Sequence, residues 1–104
     1  FLRNEFDNVH AVVMNPPFSQ SIEFVTRAIE IVRPVDGVVF ALLRLAWMAG
    51  LKRTAFHREN PSNIYVLPRR PSFTGGGTDS ADYAWFAWVG PESGGRWEVL
   101  EVPA

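Results

Sequence analysis

The 104-residue sequence contains no cysteine, which excludes disulfides and thiolate-ligated metal sites. Its two histidines, His10 and His57, are too few and too far apart in the chain to suggest a metal cluster, so no metal is expected. No apolar run approaches the roughly 20 residues that cross a bilayer. The longest candidate, Val38 to Leu43, is followed at once by Arg44. No signal peptide pattern is visible, and a cytoplasmic location without membrane contact is expected. The chain begins at Phe1 and not at Met, as a fragment or a processed product would.

What remains is the composition of an ordinary soluble domain, 47% hydrophobic and 20% charged. A chain this short supports one core. The net charge of −1 hides an uneven spread. Residues 44–70 hold Arg44, Lys52, Arg53, Arg58, Arg69 and Arg70 against Glu59 alone, while both flanks are acidic. A basic middle is compatible with phosphate contact on one face, and equally with a solvated helix face and a basic loop.

Hydrophobic periodicity gives the layout. His10 to Met14 reads as a strand. Ser19 or Ser21 can cap a helix running to about Val32, with Ile22, Val25, Ala28, Ile29 and Val32 on one face. Pro34 and the Asp36-Gly37 turn end it. The six apolar residues from Val38 to Leu43 read as a strand buried on both faces, as in a parallel sheet with helices on each side. Strand, helix and strand make one βαβ unit. A second helix is expected over Trp47 to Arg58, weakened by Gly50, with Met48, Leu51, Ala55 and Phe56 turned inward. Asn60-Pro61-Ser62-Asn63 closes it. Ile64 to Leu67 is a third strand, Pro68 to Ser80 a loop with three consecutive glycines, and Ala81 to Val89 an aromatic fourth strand. Trp97 to Val102 alternates as a last edge strand would. The fold class is α/β, with a mixed sheet of about four to five strands and two helices.

The richest segment is Val12-Val13-Met14-Asn15-Pro16-Pro17-Phe18. Two prolines cannot continue a ladder, so the strand stops there. An amide, two exposed carbonyls and an aromatic ring are left at the C-terminal tip, where open α/β sheets bind ligands. With Pro at about 5% of residues, such a tetrad arises by chance in well under about one in a hundred chains of this length.

Asn-Pro-Pro-Phe resembles the catalytic motif of amino-methyltransferases that use S-adenosylmethionine (SAM), above all the phage-type DNA adenine-N6 enzymes. Leu42-Leu43-Arg44-Leu45, Gly50-Leu51-Lys52-Arg53 and Tyr83-Ala84-Trp85-Phe86-Ala87-Trp88 are similar to segments of those enzymes, and the resemblance covers about residues 7–90. It implies the C-terminal half of a Rossmann-like methyltransferase fold, ending in an antiparallel pair formed by Ile64–Leu67 and Ala81–Val89. Residues 1–104 are then a single partial domain. The family's Gly-rich SAM turn and ribose-binding acidic residue do not fit into the fourteen residues before Asn15. Gly75-Gly76-Gly77 does not sit between strand and helix, as such turns require.

The resemblance implies roles. Asn15, with the Pro16 carbonyl, would accept hydrogen bonds from the exocyclic amine of adenine and lie beside SAM. Phe18 would stack on a flipped base, and Pro17 would line the pocket. Arg44, Lys52, Arg53, Arg69 and Arg70 are the candidate nucleic-acid contacts, with DNA as the partner. A second copy, or a chain supplying the cofactor half, would cover the strand edge at Asp7 to Met14. Plainer readings stand beside these. Asn15 can cap a loop, Phe18 can anchor the helix, and Ser19 is a cap and not a nucleophile, because no His-acid pair accompanies it. His57 is read as a helix-end cation or a surface residue. Trp85 and Trp88 point to opposite faces, one of them into the core. Methylation of rRNA guanine N2 or of protein glutamine, and a non-catalytic module that binds nucleic acid or a partner, stay open as alternatives.

Overall fold

A computed structural model describes residues 9–68, 82–90 and 94–101. Five strands form one sheet: β1 (Ala11–Met14), β2 (Val38–Arg44), β3 (Asn63–Val66), β4 (Tyr83–Val89) and β5 (Trp97–Val99), in the order β1-β2-β4-β3-β5. β1 runs parallel to β2, and Ala11 pairs with Val38. β2 and β3 both run antiparallel to β4, and β5 lies parallel to β3 at the far edge. The expected α/β class, mixed sheet and antiparallel late pair are therefore present.

Helix α1 (Ser21–Val32) connects β1 to β2. Its inner stripe is Ser21, Val25, Ala28, Ile31 and Val32, while Ile22 and Ile29 are only partly buried. The capping expectation fails. Phe18–Gln20 forms a 3-10 turn, Gln20 takes the cap position, and no side chain caps the helix. Ser21 is the first helical residue, and its hydroxyl points back to the Phe18 carbonyl. At the other end Asp36 adopts the left-handed conformation at φ 51°. The Gly37 amide then donates to the Val32 carbonyl at 2.9 Å.

β2 is not buried on both faces. Val39, Ala41 and Leu43 are buried, whereas Val38, Phe40 and Leu42 on the opposite face are half-buried. The physical reason is that both helices feed one core. Val25, Ala28, Ile31 and Val32 of α1 join Trp47 and Phe56 against Val39, Ala41, Leu43, Ala84, Phe86 and Trp88. On the other face a shallow groove of about 380 Å³ is lined by Val13, Phe40, Tyr65, Trp85, Glu98 and Leu100. Trp85 and Trp88 do take opposite faces, and Trp88 is the core member.

The second helix begins later than its pattern suggests. Leu45–Met48 is a 3-10 turn, and α2 covers Leu51–Glu59. Gly50 stands between them at φ 112°, a conformation that breaks helical continuity and favours glycine. Of the expected inner residues, Phe56 is buried while Met48 and Ala55 are exposed. Trp47 takes their place in the core, fully buried. Asn60 ends α2 through its backbone amide, which donates to the Phe56 carbonyl at 2.8 Å. Among the described residues, no helix is long and apolar enough to cross a membrane, and no group of three or more His, Cys, Asp or Glu gathers to hold a metal.

Candidate functional site

The tip of β1 carries the motif. Among the described residues β1 is an edge strand beside β2, and Val13 is 66% exposed. At Asn15 the chain leaves the sheet. Asn15 and Pro17 are exposed and Pro16 is buried, so the side chains alternate outward and inward through the rigid dipeptide. Of the two carbonyls expected to be open, that of Pro17 accepts from the Gln20 amide at 3.1 Å as the 3-10 turn closes. The Pro16 carbonyl is the one the turn leaves aside.

Phe18 follows at the head of that turn and is 41% exposed. The anchor reading fails for its ring, which stays outside the core cluster. Two guanidinium groups approach it. Arg53 of α2 lies 4.9 Å from the ring centroid and Arg44, at the end of β2, lies 5.8 Å away. Both are within cation–π range. Residues from β2 and α2 thus converge on a ring presented by the β1–α1 connection. Beside them opens a groove of about 430 Å³ lined by Phe18, Ser19, Ser21, Ile22, Glu23, Gly50 and Arg53. Asn15 and Pro17 do not line it.

Chemically, this corner joins an exposed aromatic face and two permanent cations, with Asn15 three residues earlier in the chain. Arg44 and Arg53 are brought together with Phe18; the backbone of Lys52 lies in the same helix. Arg69 and Arg70 fall outside the described residues. Ser19 is exposed in the 3-10 turn and caps nothing.

The sequence reading missed two buried residues behind the ring. Ser21 is 3% exposed and donates to the Phe18 carbonyl at 2.8 Å. The Trp47 indole N–H donates to Ser21 Oγ. The available signal was spacing: Ser21 stands four residues before Val25, on the stripe that a helix buries. His57 also differs from expectation. It is half-buried, edge-on to Trp47 at 4.8 Å and stacked on Phe86 at 6.1 Å, with Nε2 3.3 Å from the Trp47 carbonyl.

No family model and no curated protein matches the chain. Among solved structures, the M1.HpyAVI-SAM complex superposes on 91% of this chain and 56% of that one, with a TM-score of 0.45 and 17% identity. The chain thus spans little more than half the length of that protein. A superposition of this quality assigns no activity to the chain.

Proposed function

We propose that this chain is the catalytic half of a SAM-dependent amino-methyltransferase of the phage type, acting on the exocyclic N6 of an adenine turned out of DNA. One observation carries the reading: Asn15-Pro16-Pro17-Phe18 ends a strand that runs parallel to its neighbour, and Phe18 stands 41% exposed between two guanidinium groups. A flat ring offers stacking to an unpaired base, and the cations suit its flanking phosphates.

The chain's own residues do three things in this reading. Phe18 stacks on the base and fixes its plane. The Asn15 side-chain oxygen and the Pro16 carbonyl accept hydrogen bonds from the amine, which favours a tetrahedral nitrogen with a free lone pair. The prolines hold those acceptors in place before substrate arrives. Arg44 and Arg53, with Lys52, Arg69 and Arg70, hold the DNA backbone.

SAM supplies the methyl group in such enzymes, but the described residues do not form its cradle. Asn15 ends an edge strand, and none of the described cavities is lined by it. The chain alone is therefore expected to bind SAM weakly or not at all. A second copy or a cofactor-half chain joins β1, which is the sheet edge among the described residues and carries the exposed Val13.

That same absence favours one other reading, a non-catalytic module that binds nucleic acid through Phe18, Arg44 and Arg53. Fluorescence anisotropy with two DNA duplexes tests the common part. One carries an adenine opposite an abasic site, which has no pairing to lose and so becomes extrahelical at low cost, and the other is fully paired. The extrahelical adenine should bind tighter by about tenfold, given stacking worth roughly 1–3 kcal/mol per base. Equal affinity for both removes base stacking from either reading. In an assembly that turns over, Asn15→Ala separates the two: the enzyme reading requires kcat to fall about a hundredfold or more, and undiminished turnover refutes it.

A further inference from the structure

Ser21 and Trp47 have no part in the roles assigned above. Trp47 is fully buried. The rings of Phe56, His57, Phe86 and Trp88 meet it edge-on, with centroids 5.8, 4.8, 5.1 and 6.2 Å away. Those four neighbours fix the plane of the indole and hence the direction of its N–H. The N–H points at Ser21 Oγ.

An indole N–H can only donate. Ser21 Oγ must therefore accept from it. The hydroxyl's single proton is left for the Phe18 carbonyl, 2.8 Å away. Ser21 is 3% exposed, so water does not readily replace either partner. The tryptophan thus dictates the polarity of the whole relay, and the relay ends on the backbone of the ring-bearing residue.

The contacts close into a circuit. Arg53 of α2 lies over the Phe18 ring at 4.9 Å. His57, four residues on in the same helix, sits with Nε2 3.3 Å from the Trp47 carbonyl. One helix therefore reaches Phe18 twice, through the ring face and through Trp47 and Ser21 to the carbonyl. We propose that Ser21 and Trp47 are positioning residues that set the Phe18 ring for base stacking and tie its orientation to α2. This rests on the stacking role given to Phe18 above, and the test separates the two.

The experiment is NMR of the labelled full chain, with and without the two duplexes. In the wild type, Arg53 side-chain protons should be shifted upfield by the ring beneath them. The Trp47 indole proton should exchange about tenfold or more slower than that of Trp97, which is 71% exposed. Ser21→Ala should abolish the upfield shift and speed indole exchange. It should also weaken binding of the extrahelical adenine while leaving the paired duplex unchanged. Ser21→Thr, which keeps the hydroxyl, should restore all three.

An unchanged Arg53 shift in Ser21→Ala overturns the proposal, and so does a wild-type Trp47 indole that exchanges as fast as Trp97. If Ser21→Ala does not fold, Ser21→Cys carries the test. Its sulfur is a weaker partner, so an intermediate shift supports the relay and a wild-type shift overturns it. If the shifts behave as expected and the wild type does not distinguish the duplexes, the positioning of Phe18 stands and base stacking falls.

Discussion

Gly37→Ala probes how the motif strand is held. Gly37 is required here by close approach and not by a left-handed φ. A Cβ at this position would lie 2.4 Å from the His10 carbonyl oxygen, 2.9 Å from the His10 carbonyl carbon and 2.8 Å from Val32 Cβ. Carbon–oxygen contacts settle near about 3.3 Å, so one strand must retreat by roughly 0.9 Å. The nearest contacts are backbone and a core side chain, so nothing flexible is available to yield. The same oxygen accepts the Val38 amide at 2.9 Å, the bond that starts the parallel ladder between β1 and β2. Retreat stretches that bond beyond good hydrogen-bonding range. Overpacking costs about 1–3 kcal/mol and the weakened bond about 1 kcal/mol. Together they predict a loss of roughly 2–4 kcal/mol. With a urea m-value of about 1–1.5 kcal/mol/M for a chain of this size, the midpoint should fall by about 1.3–4 M. Tryptophan fluorescence follows the transition. A midpoint within about 0.3 M of wild type would refute the close approach and the β1–β2 register drawn from it.

Other outcomes follow from the same geometry. Gly50→Ala forces a side chain into φ 112° at the N-terminus of α2, with Arg53 atoms 3.3 Å from the new Cβ. It should cost about 1–3 kcal/mol and move Arg53 off Phe18, read as lower stability together with loss of the Arg53 ring-current shift. Phe18→Ala should weaken binding of the extrahelical adenine by about tenfold with little loss of stability, because the ring is largely outside the core; Phe18→Tyr should bind like wild type. Val13→Lys places a charge on the exposed edge of β1 and should shift any self-association toward monomer in light scattering.

The elements that were legible in sequence are those whose pattern carries its own boundary. β1 ends where two prolines forbid a ladder. α1 shows helical spacing over twelve residues, and Pro34 with Asp36-Gly37 stops it. The antiparallel pair of β3 and β4 was reached through a family likeness, and the insertion of β4 between β2 and β3 was not foreseen, because pairing partners leave no mark in local periodicity. The second helix was misplaced because Trp47, Met48 and Leu51 have helical spacing across Gly50, and only the backbone angle shows the break. The double burial of β2 was overestimated for a related reason. Six apolar residues in a row say that neither face is polar, not that both faces are covered. At the site, Phe18 and Arg53 were legible as residue types, but their contact depends on where α2 starts. Ser19 and Ser21 both read as cap candidates, because capping is the common use of serine before a helix, but Ser21 lies inside it. The partner of Ser21, Trp47, is 26 residues away.

The position of the motif strand bears on how the proposed site would be completed. Parallel strands are stable where both faces are covered, whereas antiparallel strands tolerate water on one side. In this sheet β4 is flanked by antiparallel neighbours on both sides, and it keeps Ala84, Phe86 and Trp88 buried on the helical face. β1 is parallel to β2, takes the edge place in the sheet among the described residues, and Val13 faces solvent on the side away from the helices. The place where a further strand and a covering layer would fit therefore lies beside Asn15. In the proposed reading, a strand that meets the outer edge of β1 also builds the second wall around the Asn15 amide, while Phe18 is held from the first wall by Ser21 and Arg53. Completion of the sheet and completion of the site are then one event, and substitutions that free β1 from β2 should impair both together.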